Sequence, residues 1–287
     1  MRFRWDWIER VMPVPYVPTL GAVHPGSPLP DLFTAVVAAA GTGRFLPYDK
    51  DRRWSVRKEE RVLVDAIEHD RRRTLVPTFL ERDAGTVRVH VYRDDAAAVY
   101  LAQHLADVHG AARARVVSFL PPGDPEQHAQ GGTRVQLKDF TAGPGPVPGV
   151  LVQEAGQLPE GAGFGDFAAA LAADGFAFLH GQMRAGRVGP VLAVLDGGRV
   201  AGAIGPLETM PDAAGELHLL PQYFGVLPEH RGRGYGRALW RAAMHWGYRH
   251  GAAYQLLQTE VGGVSDRLCA AEGLTSLGVV HQADVLV

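Results

Sequence analysis

The chain has 287 residues, and its 29 lysine and arginine side chains nearly balance 31 aspartate and glutamate side chains, which leaves a formal net charge of −2. The hydrophobic fraction of 46% and the charged fraction of 21% are typical of a globular protein, and they exclude a disordered chain, a collagen-like chain and a disulfide-rich scaffold. This near-neutral charge gives no general argument for nucleic-acid binding.

The cysteine content and the hydropathy pattern bear on the compartment. Cys269 is the single cysteine, so no intramolecular disulfide can form, and a reducing, cytoplasmic environment is expected. No stretch approaches 18 apolar residues without a charge, and the first ten residues carry five charged side chains. We therefore expect neither a signal peptide nor a membrane span, and no membrane partner.

Two segments rich in glycine and proline punctuate the chain. Residues 121–132, PPGDPEQHAQGG, are predicted to form a loop. Residues 141–149, TAGPGPVPG, can sustain neither a helix nor a strand, and they are predicted to be a linker between domains. The length is that of about two domains. The sequence therefore predicts an N-terminal domain over residues 1–146 and a C-terminal domain over residues 147–287.

The N-terminal domain combines helical and strand-like segments. In chain order, the predicted elements are a helix over residues 32–40 with Asp31 as its N-cap, a helix over 55–72, strands over 74–81 and 86–93, a helix over 94–109 and a strand over 114–120. Asp83, Ala84 and Gly85 lie between the first two strands and indicate a hairpin turn. This α/β domain contains no recognisable catalytic motif.

The C-terminal domain has a more regular alternation. Its predicted elements are a strand over residues 150–155, one or two helices over 167–183, a hairpin over 191–205 that turns at Asp196-Gly197-Gly198, a long strand over 216–227 broken near Pro221 or Gly225, a helix over 236–250, a strand over 253–260, a helix over 265–272 and a final pair of strands. The whole chain is therefore predicted to be of the α/β class with a mixed sheet.

A glycine-rich turn carries the clearest chemical signal. Residues 226–239 read VLPEHRGRGYGRAL, so three alternating glycines join the end of a strand to the start of a helix. Glycines allow a tight turn and a close approach of the backbone to a ligand. The first turn of the helix offers unpaired N–H groups and the positive end of a dipole. Arg231 and Arg233 add positive charge, so the turn is predicted to bind a phosphate or pyrophosphate group.

Known nucleotide motifs do not fit this turn. It lacks the third glycine of a dinucleotide-binding fingerprint at the right spacing, and the chain has no G-x-x-x-x-G-K-[ST] sequence. The pattern R-x-x-G-x-G from Arg231 to Gly236, preceded by V-x-P from Val226 to Pro228, resembles motif A of the GNAT acyltransferase superfamily. The segment from about residue 148 to 287 resembles one such domain in the order of its elements.

The resemblance implies a co-substrate and its site. A GNAT domain uses acetyl-coenzyme A or another acyl-coenzyme A, without a metal. The amides of the glycine turn would hold the pyrophosphate, and the backbone of the preceding strand would pair with the pantetheine arm like an added strand. The residues implied in coenzyme A binding are Phe224, Val226, Arg231, Gly232, Arg233, Gly234, Tyr235 and Gly236.

One departure from the family concerns the general acid. Members commonly carry a tyrosine before a Gly-Phe pair, and this tyrosine protonates the leaving thiolate. Matching Gly273-Leu274 to that pair puts Cys269 at the tyrosine position and Gly262 at the position of the family's asparagine. Cys269 is therefore a candidate general acid, and the competing interpretation is a small buried apolar residue.

The general base is sought on the long strand, from which the family often draws it. Glu216, His218 and Gln222 share a face if the strand is regular. An imidazole has an ordinary pKa near 6.5, which suits a base at neutral pH, whereas a glutamate needs burial to raise its pKa. His218 and Glu216 are the candidate bases, and either is alternatively an exposed strand residue. Gln222, Gln258 and Glu260 are candidate acceptor-binding residues, and no histidine spacing indicates a metal site.

The resulting hypothesis is an N-acyltransferase that moves an acyl group from acyl-coenzyme A to the amine of a small molecule by direct attack. Two alternatives stay open. One is a tRNA-dependent aminoacyltransferase of natural-product biosynthesis on the same fold, and the other is a catalytically silent domain that binds coenzyme A and a partner. A homodimer is a further hypothesis. Residues 1–146 are interpreted as a degenerate second GNAT copy, or alternatively as a lid or dimer surface.

Overall fold

A computed structural model describes residues 12–69, 73–92, 97–124 and 131–287. The strands are β1 (Tyr16–Val17), β2 (Gly21–Ala22), β3 (Glu60–Val62), β4 (Glu68–His69), β5 (Thr74–Leu80), β6 (Thr86–Val91), β7 (Arg113–Leu120), β8 (Thr133–Asp139), β9 (Gln153–Glu154), β10 (Leu192–Asp196), β11 (Arg199–Gly205), β12 (Thr209–Pro211), β13 (Leu217–Leu219), β14 (Tyr223–Val226), β15 (Tyr254–Glu260) and β16 (Thr275–Val285). The α-helices are α1 (Leu29–Ala39), α2 (Ala98–His109), α3 (Phe164–Ala170), α4 (Phe176–Arg184), α5 (Tyr235–Arg249) and α6 (Val264–Ala271). The predicted mixed α/β class is confirmed.

The chain forms two compact units whose limits are not simple halves of the sequence. The first unit comprises Met1–Leu137, Ala213–Gly215 and Leu256–Val287, and the second comprises Lys138–Asp212 and Glu216–Gln255. The division into domains at residue 146 stays a prediction about the sequence. The compact units differ from it because the last 32 residues join the first unit.

The first unit is built on a mixed sheet. Its strands follow the order β8-β16-β7-β6-β5-β3, and the part of β15 that belongs to this unit lies beside β8. β6 and β7 are parallel and are joined by α2, whereas β5 pairs with β6 in an antiparallel hairpin. Leu101 and Leu105 of α2 pack with Val87 and Val89 of β6 in one apolar cluster. Gly110 ends α2 in the left-handed conformation, with φ of +60°.

The predicted helix over residues 55–72 is wrong. The described part of this segment forms β3, a short 3-10 turn over Val64–Ala66, and β4. β3 pairs with β5, which buries Val62 but leaves Val64 42% exposed, so the valines do not share one apolar face. β-Branched residues favour strands, and the partner strand β5 decides the conformation here. Residues 70–72 lie outside the described residues.

Other predicted elements differ from the structure. α1 begins at Leu29, so Asp31 lies in its first turn and is not the N-cap. The predicted final pair of strands is wrong, because residues 275–285 form the single strand β16, which is central in the first unit. β8 is not among the predicted strands. Residues 94–96 of the predicted second helix and 125–130 of the predicted loop lie outside the described residues.

The second unit contains the glycine turn. Its antiparallel sheet follows the order β14-β11-β10-β9, and α3 and α4 pack Phe167, Phe176 and Leu179 against it. Gly202 of β11 approaches Leu239 of α5, whereas its neighbour Ala203 belongs to the cluster with α3 and α4. Since successive residues of a strand face opposite sides, α5 covers the face opposite α3 and α4.

The predicted long strand over residues 216–227 is interrupted, as the proline indicated. β13 pairs with β12 and, in parallel, with the first residues of β15, whereas β14 pairs with β11. Residues 220–222 separate these two strands. β14 thus lies at the edge of its sheet, and within the described residues no other strand is its neighbour.

The two units repeat one connection. In the first unit β6 leads through α2 to the parallel strand β7, and in the second β13 and β14 lead through α5 to the parallel start of β15. This repetition fits the hypothesis of a degenerate second copy. The segment between β6 and α2 contains no glycine, so the phosphate-binding motif is not repeated. Among the helices in the described ranges, none has the length and hydropathy needed to cross a bilayer.

Candidate functional site

The glycine turn places a helix N-terminus beside a strand edge. β14 ends at Val226, a short 3-10 turn covers Pro228–His230, and α5 begins at Tyr235. Gly232 and Gly234 have φ of +76° and +85°, which an L side chain rarely adopts. Gly234 is the N-cap of α5, and no side chain caps the helix. The first amides of α5 are therefore available to an anion.

The three glycines serve different purposes. A Cβ atom at Gly232 or Gly234 would meet no protein atom within 4 Å, so these two glycines face open space. A Cβ atom at Gly236 would lie 3.4 Å from the Phe224 ring, in ordinary van der Waals contact. The first two glycines therefore set the backbone conformation of the turn in front of open space, and the third lies where α5 packs beside β14.

The free edge of β14 presents backbone groups next to this turn. The amide N–H of Leu227 donates to the carbonyl of Ala201 at 2.9 Å, in register with the pairing of Gly202 opposite Val226. Hydrogen-bonded and non-hydrogen-bonded pairs alternate along an antiparallel ladder. The N–H and C=O groups of Phe224 and Val226 therefore point away from β11, toward the open edge.

A side chain of the turn already uses one of these groups. The Nε atom of Arg231 donates to the carbonyl oxygen of Val226 at 3.1 Å, which bends the turn back over the strand end. The Arg231 side chain is exposed. Its guanidinium thereby remains next to the open edge of β14 while keeping N–H groups for an anion.

An acidic residue that sequence reasoning missed anchors the turn. Asp196 ends β10 at the turn of the β10–β11 hairpin, and its Oδ2 atom accepts from Nδ1 of His230 at 2.9 Å and from Nη1 of Arg233 at 2.5 Å. Hydrogen bonds from His230 above all, and from Tyr235, together with the charge of Arg233, hold the pKa of Asp196 below its ordinary value. The sequence signal, an aspartate before two glycines, indicated only a hairpin.

The candidate bases lie on and before β13. His218 is half-buried, and its ring stacks on the Tyr254 ring with a centroid distance of 5.3 Å and an interplanar angle of 9°. The Tyr254 hydroxyl donates to Oδ2 of Asp212 at 2.8 Å. Burial, followed by this bond to Asp212, raises the pKa of Tyr254. Glu216 is exposed and precedes β13, in the turn where its carbonyl accepts from Asp212 N–H, so it does not extend the strand face of His218.

Gln222 holds the interruption between β13 and β14 together. Its Oε1 atom accepts from Nε2 of Gln255 at 2.8 Å, and its Nε2 atom donates to the Leu220 carbonyl. Gln255 is fully buried. These contacts stabilise the break between β13 and β14. That Gln222 binds the acceptor stays a prediction.

The remaining predicted residues belong to the first unit. Cys269 is 2% exposed, and burial, with smaller effects of Asp266 and Glu272, raises the pKa of its thiol to about 12. This environment favours the interpretation of Cys269 as a buried apolar residue. Gln258 and Glu260 are exposed on β15. The structure therefore brings the residues predicted to bind coenzyme A together in the second unit, whereas Cys269, Gln258 and Glu260 belong to the first unit.

A protein-family model matches part of the chain. Residues 166–265 match the model of the acetyltransferase (GNAT) family, and the glycine turn lies inside this range. No curated protein matches the chain.

Several solved structures are similar to the chain. A GCN5-related N-acetyltransferase from Sphaerobacter thermophilus has 17% identity and a TM-score of 0.48, over 77% of this chain and 84% of that one. A GNAT-family acetyltransferase from Colwellia psychrerythraea has 12% identity and a TM-score of 0.48, over 89% and 95%. A tandem GNAT protein from the clavulanic acid biosynthesis pathway has 17% identity and a TM-score of 0.41, over 74% and 78%. The match of residues 166–265 to the GNAT family model and the motif from Arg231 to Gly236 agree, so the resemblance predicted for the C-terminal half is confirmed.

Proposed function

We propose that the protein is an N-acyltransferase that moves an acetyl group from acetyl-coenzyme A to the amine of a small molecule. The match of residues 166–265 to the GNAT family model supports acyltransferase chemistry in general. The identity of the donor and the class of the acceptor are part of the proposal.

The observation that carries the proposal is the open edge of β14 directly before the uncapped start of α5. The outward N–H and C=O groups of Phe224 and the outward N–H of Val226 fit an amide-containing arm such as pantetheine, which pairs as an added strand. The turn from Arg231 to Gly236 and the first amides of α5 fit a pyrophosphate. One ligand with an amide arm and a pyrophosphate, coenzyme A, satisfies both.

The transfer needs a nucleophilic nitrogen and a polarised carbonyl. The acceptor amine attacks the thioester carbon, a C–N bond forms, the C–S bond breaks, and the sulfur leaves with the electron pair and takes up a proton. An outward N–H on β14 is suited to polarise the thioester oxygen. The proton lost by the amine passes to a base, for which we propose His218 because it is half-buried on β13. A Cys269 thiol with a pKa of about 12 is a poor proton donor at neutral pH.

Removal of the proposed base should have an effect that depends on pH. We expect His218→Ala to lower kcat by roughly 100-fold at pH 7, in the range of general-base catalysis, and by much less at pH 9. At high pH the acceptor amine is already unprotonated, so the base is less needed. Thiol release measured from pH 6 to pH 9 checks this. Glu216→Ala is the matched control and should keep the wild-type profile, whereas an equal loss at every pH would assign His218 a structural role.

Calorimetric titration of the full chain with acetyl-coenzyme A is the test of the proposed function. We expect dissociation in the micromolar range, followed by thiol release when a panel of small amines is added. Uncharged and aminoacylated tRNA are titrated in parallel. If tRNA binds with a steep salt dependence and the thioester does not bind, the donor is an aminoacyl-tRNA instead of acetyl-coenzyme A. If the thioester binds but no amine of the panel is acylated, the result supports the alternative of a catalytically silent domain that binds coenzyme A.

A further inference from the structure

Asp196 is the only acidic side chain that the described contacts place on the glycine turn. It reaches the turn from the β10–β11 hairpin, 34 residues before His230 and 37 before Arg233. Both distances, 2.9 Å and 2.5 Å, are those of charge-assisted hydrogen bonds, because the acceptor is an ionised carboxylate. A single carboxylate oxygen of Asp196 thus links residues on both sides of Gly232 to the β10–β11 hairpin.

The hairpin is a firm support for such an anchor. Asp196 pairs with Arg199 at the end of the β10–β11 ladder, and Gly197 and Gly198 form the turn with φ of +56° and +81°. β10 and β11 are mostly buried in the second unit. The turn from Arg231 to Gly236, by contrast, is largely exposed and contains two left-handed glycines, which have the greatest backbone freedom when unfolded.

We propose that Asp196 is a positioning residue for binding of the coenzyme A diphosphate: it holds the glycine turn and the Arg233 guanidinium in the conformation that receives the phosphates. The inference rests on the proposed function. Asp196 does not touch the ligand and acts through His230 and Arg233. Without it, the turn would have to become ordered when the ligand binds, and that conformational entropy would weaken binding.

The direction in which the Kd of coenzyme A changes distinguishes a positioning role of Asp196 from simple electrostatic repulsion. Asp196 is an anion close to the place where a polyanion would bind, so its neutralisation should tighten phosphate binding if charge alone mattered. Positioning predicts the reverse. We expect Asp196→Ala to raise the Kd of coenzyme A about tenfold, in the range of coupling between residues in contact. Asp196→Asn, which keeps an acceptor oxygen and the shape of the side chain, should recover part of this loss.

The experiment measures the Kd of coenzyme A and of pantetheine, which lacks the phosphates, for the wild type, Asp196→Ala, Asp196→Asn, Arg233→Gln and the double variant Asp196→Ala/Arg233→Gln. We expect a weaker Kd for coenzyme A only, an unchanged Kd for pantetheine, and a smaller effect of Asp196→Ala in the Arg233→Gln background. Thermal unfolding and circular dichroism report whether each variant folds, and Asp196→Asn carries the test if the alanine variant does not.

Three outcomes would overturn the inference. They are tighter binding of coenzyme A by either Asp196 variant, an unchanged Kd in folded variants, and an equal loss for coenzyme A and pantetheine, which would indicate a general structural role. Failure of the wild type to bind coenzyme A at all is a different result, because it would reject the proposed function itself.

Discussion

Replacing Gly234 by aspartate should abolish measurable binding of acetyl-coenzyme A. We expect Kd to rise from the micromolar to at least the millimolar range, a loss of roughly 1000-fold or about 4 kcal/mol. The new carboxylate would project from the N-cap of α5 into the open space in front of the turn, where the pyrophosphate is proposed to bind. Calorimetric titration against the wild type measures the change.

A matched variant isolates the charge. Asparagine has the size of aspartate and tolerates the left-handed conformation that Gly234 requires, with φ of +85°. Gly234→Asn should therefore retain most of the affinity that Gly234→Asp loses. Both variants share the backbone strain of a side chain at this φ, so they should lose similar stability, and both should fold because no protein atom lies within 4 Å of the new Cβ. Undiminished binding by Gly234→Asp would show that the turn does not hold the phosphates.

Substitutions of Arg231 are a second test of the glycine turn as the phosphate-binding site. Arg231→Glu reverses a charge and removes the donor to the Val226 carbonyl. We expect it to weaken acetyl-coenzyme A binding more strongly than Arg231→Gln, which removes the charge without reversing it. Equal losses in titrations of the two variants would mean that the hydrogen bond to Val226, and not the charge, is what binding requires.

Acid should destabilise the first unit through His90. This side chain is 2% exposed on β6, and its Nδ1 atom lies 3.1 Å from the Val76 carbonyl. Burial lowers the pKa of His90 to about 4 from an ordinary value of 6.5. The unfolded chain therefore takes up this proton below about pH 6.5, while the folded chain resists it until about pH 4. Stability should fall by about 3 kcal/mol across that window and show no contribution from His90 above it.

Urea unfolding of the wild type and His90→Gln at pH 7.5 and pH 4 isolates this contribution from that of the carboxylates. The variant keeps a donor for the Val76 carbonyl but cannot titrate, so its loss of stability on acidification should be smaller by about 3 kcal/mol. His104→Gln is the control, because His104 is exposed on α2. Parallel pH dependence in wild type and His90→Gln would contradict the assignment.

Local chemistry made much of this fold predictable. The turns at Asp83-Ala84-Gly85 and Asp196-Gly197-Gly198 both join antiparallel strands, as their residues indicated. Pro221 marked the break between β13 and β14, and the turn from Arg231 to Gly236 lies between a strand and a helix, as its glycines required. In each case the residues that decide the backbone conformation lie within a few positions of one another.

What could not be predicted depends on partners far along the chain. β8 is mostly polar, and it forms a strand because β16, some 140 residues later, pairs with it. Val62 lies in the strand β3, and not in a helix, because β5 offers an edge for pairing. The contact of Asp196 with His230 and Arg233 likewise joins a hairpin to a loop that the sequence treats as separate. A single sequence does not encode such long-range pairing in a readable pattern.

The central place of β16 has a consequence for synthesis of the protein. β7 and β8 leave the ribosome well before residues 275–285, which pair with both of them. Until then, each offers an unpaired row of backbone N–H and C=O groups to any other nascent chain. The sheet of the first unit is thus completed only when β16 is made. We expect translation arrest before residue 275 to yield an aggregation-prone product in which the second unit, residues 138–212 and 216–255, has already acquired its structure.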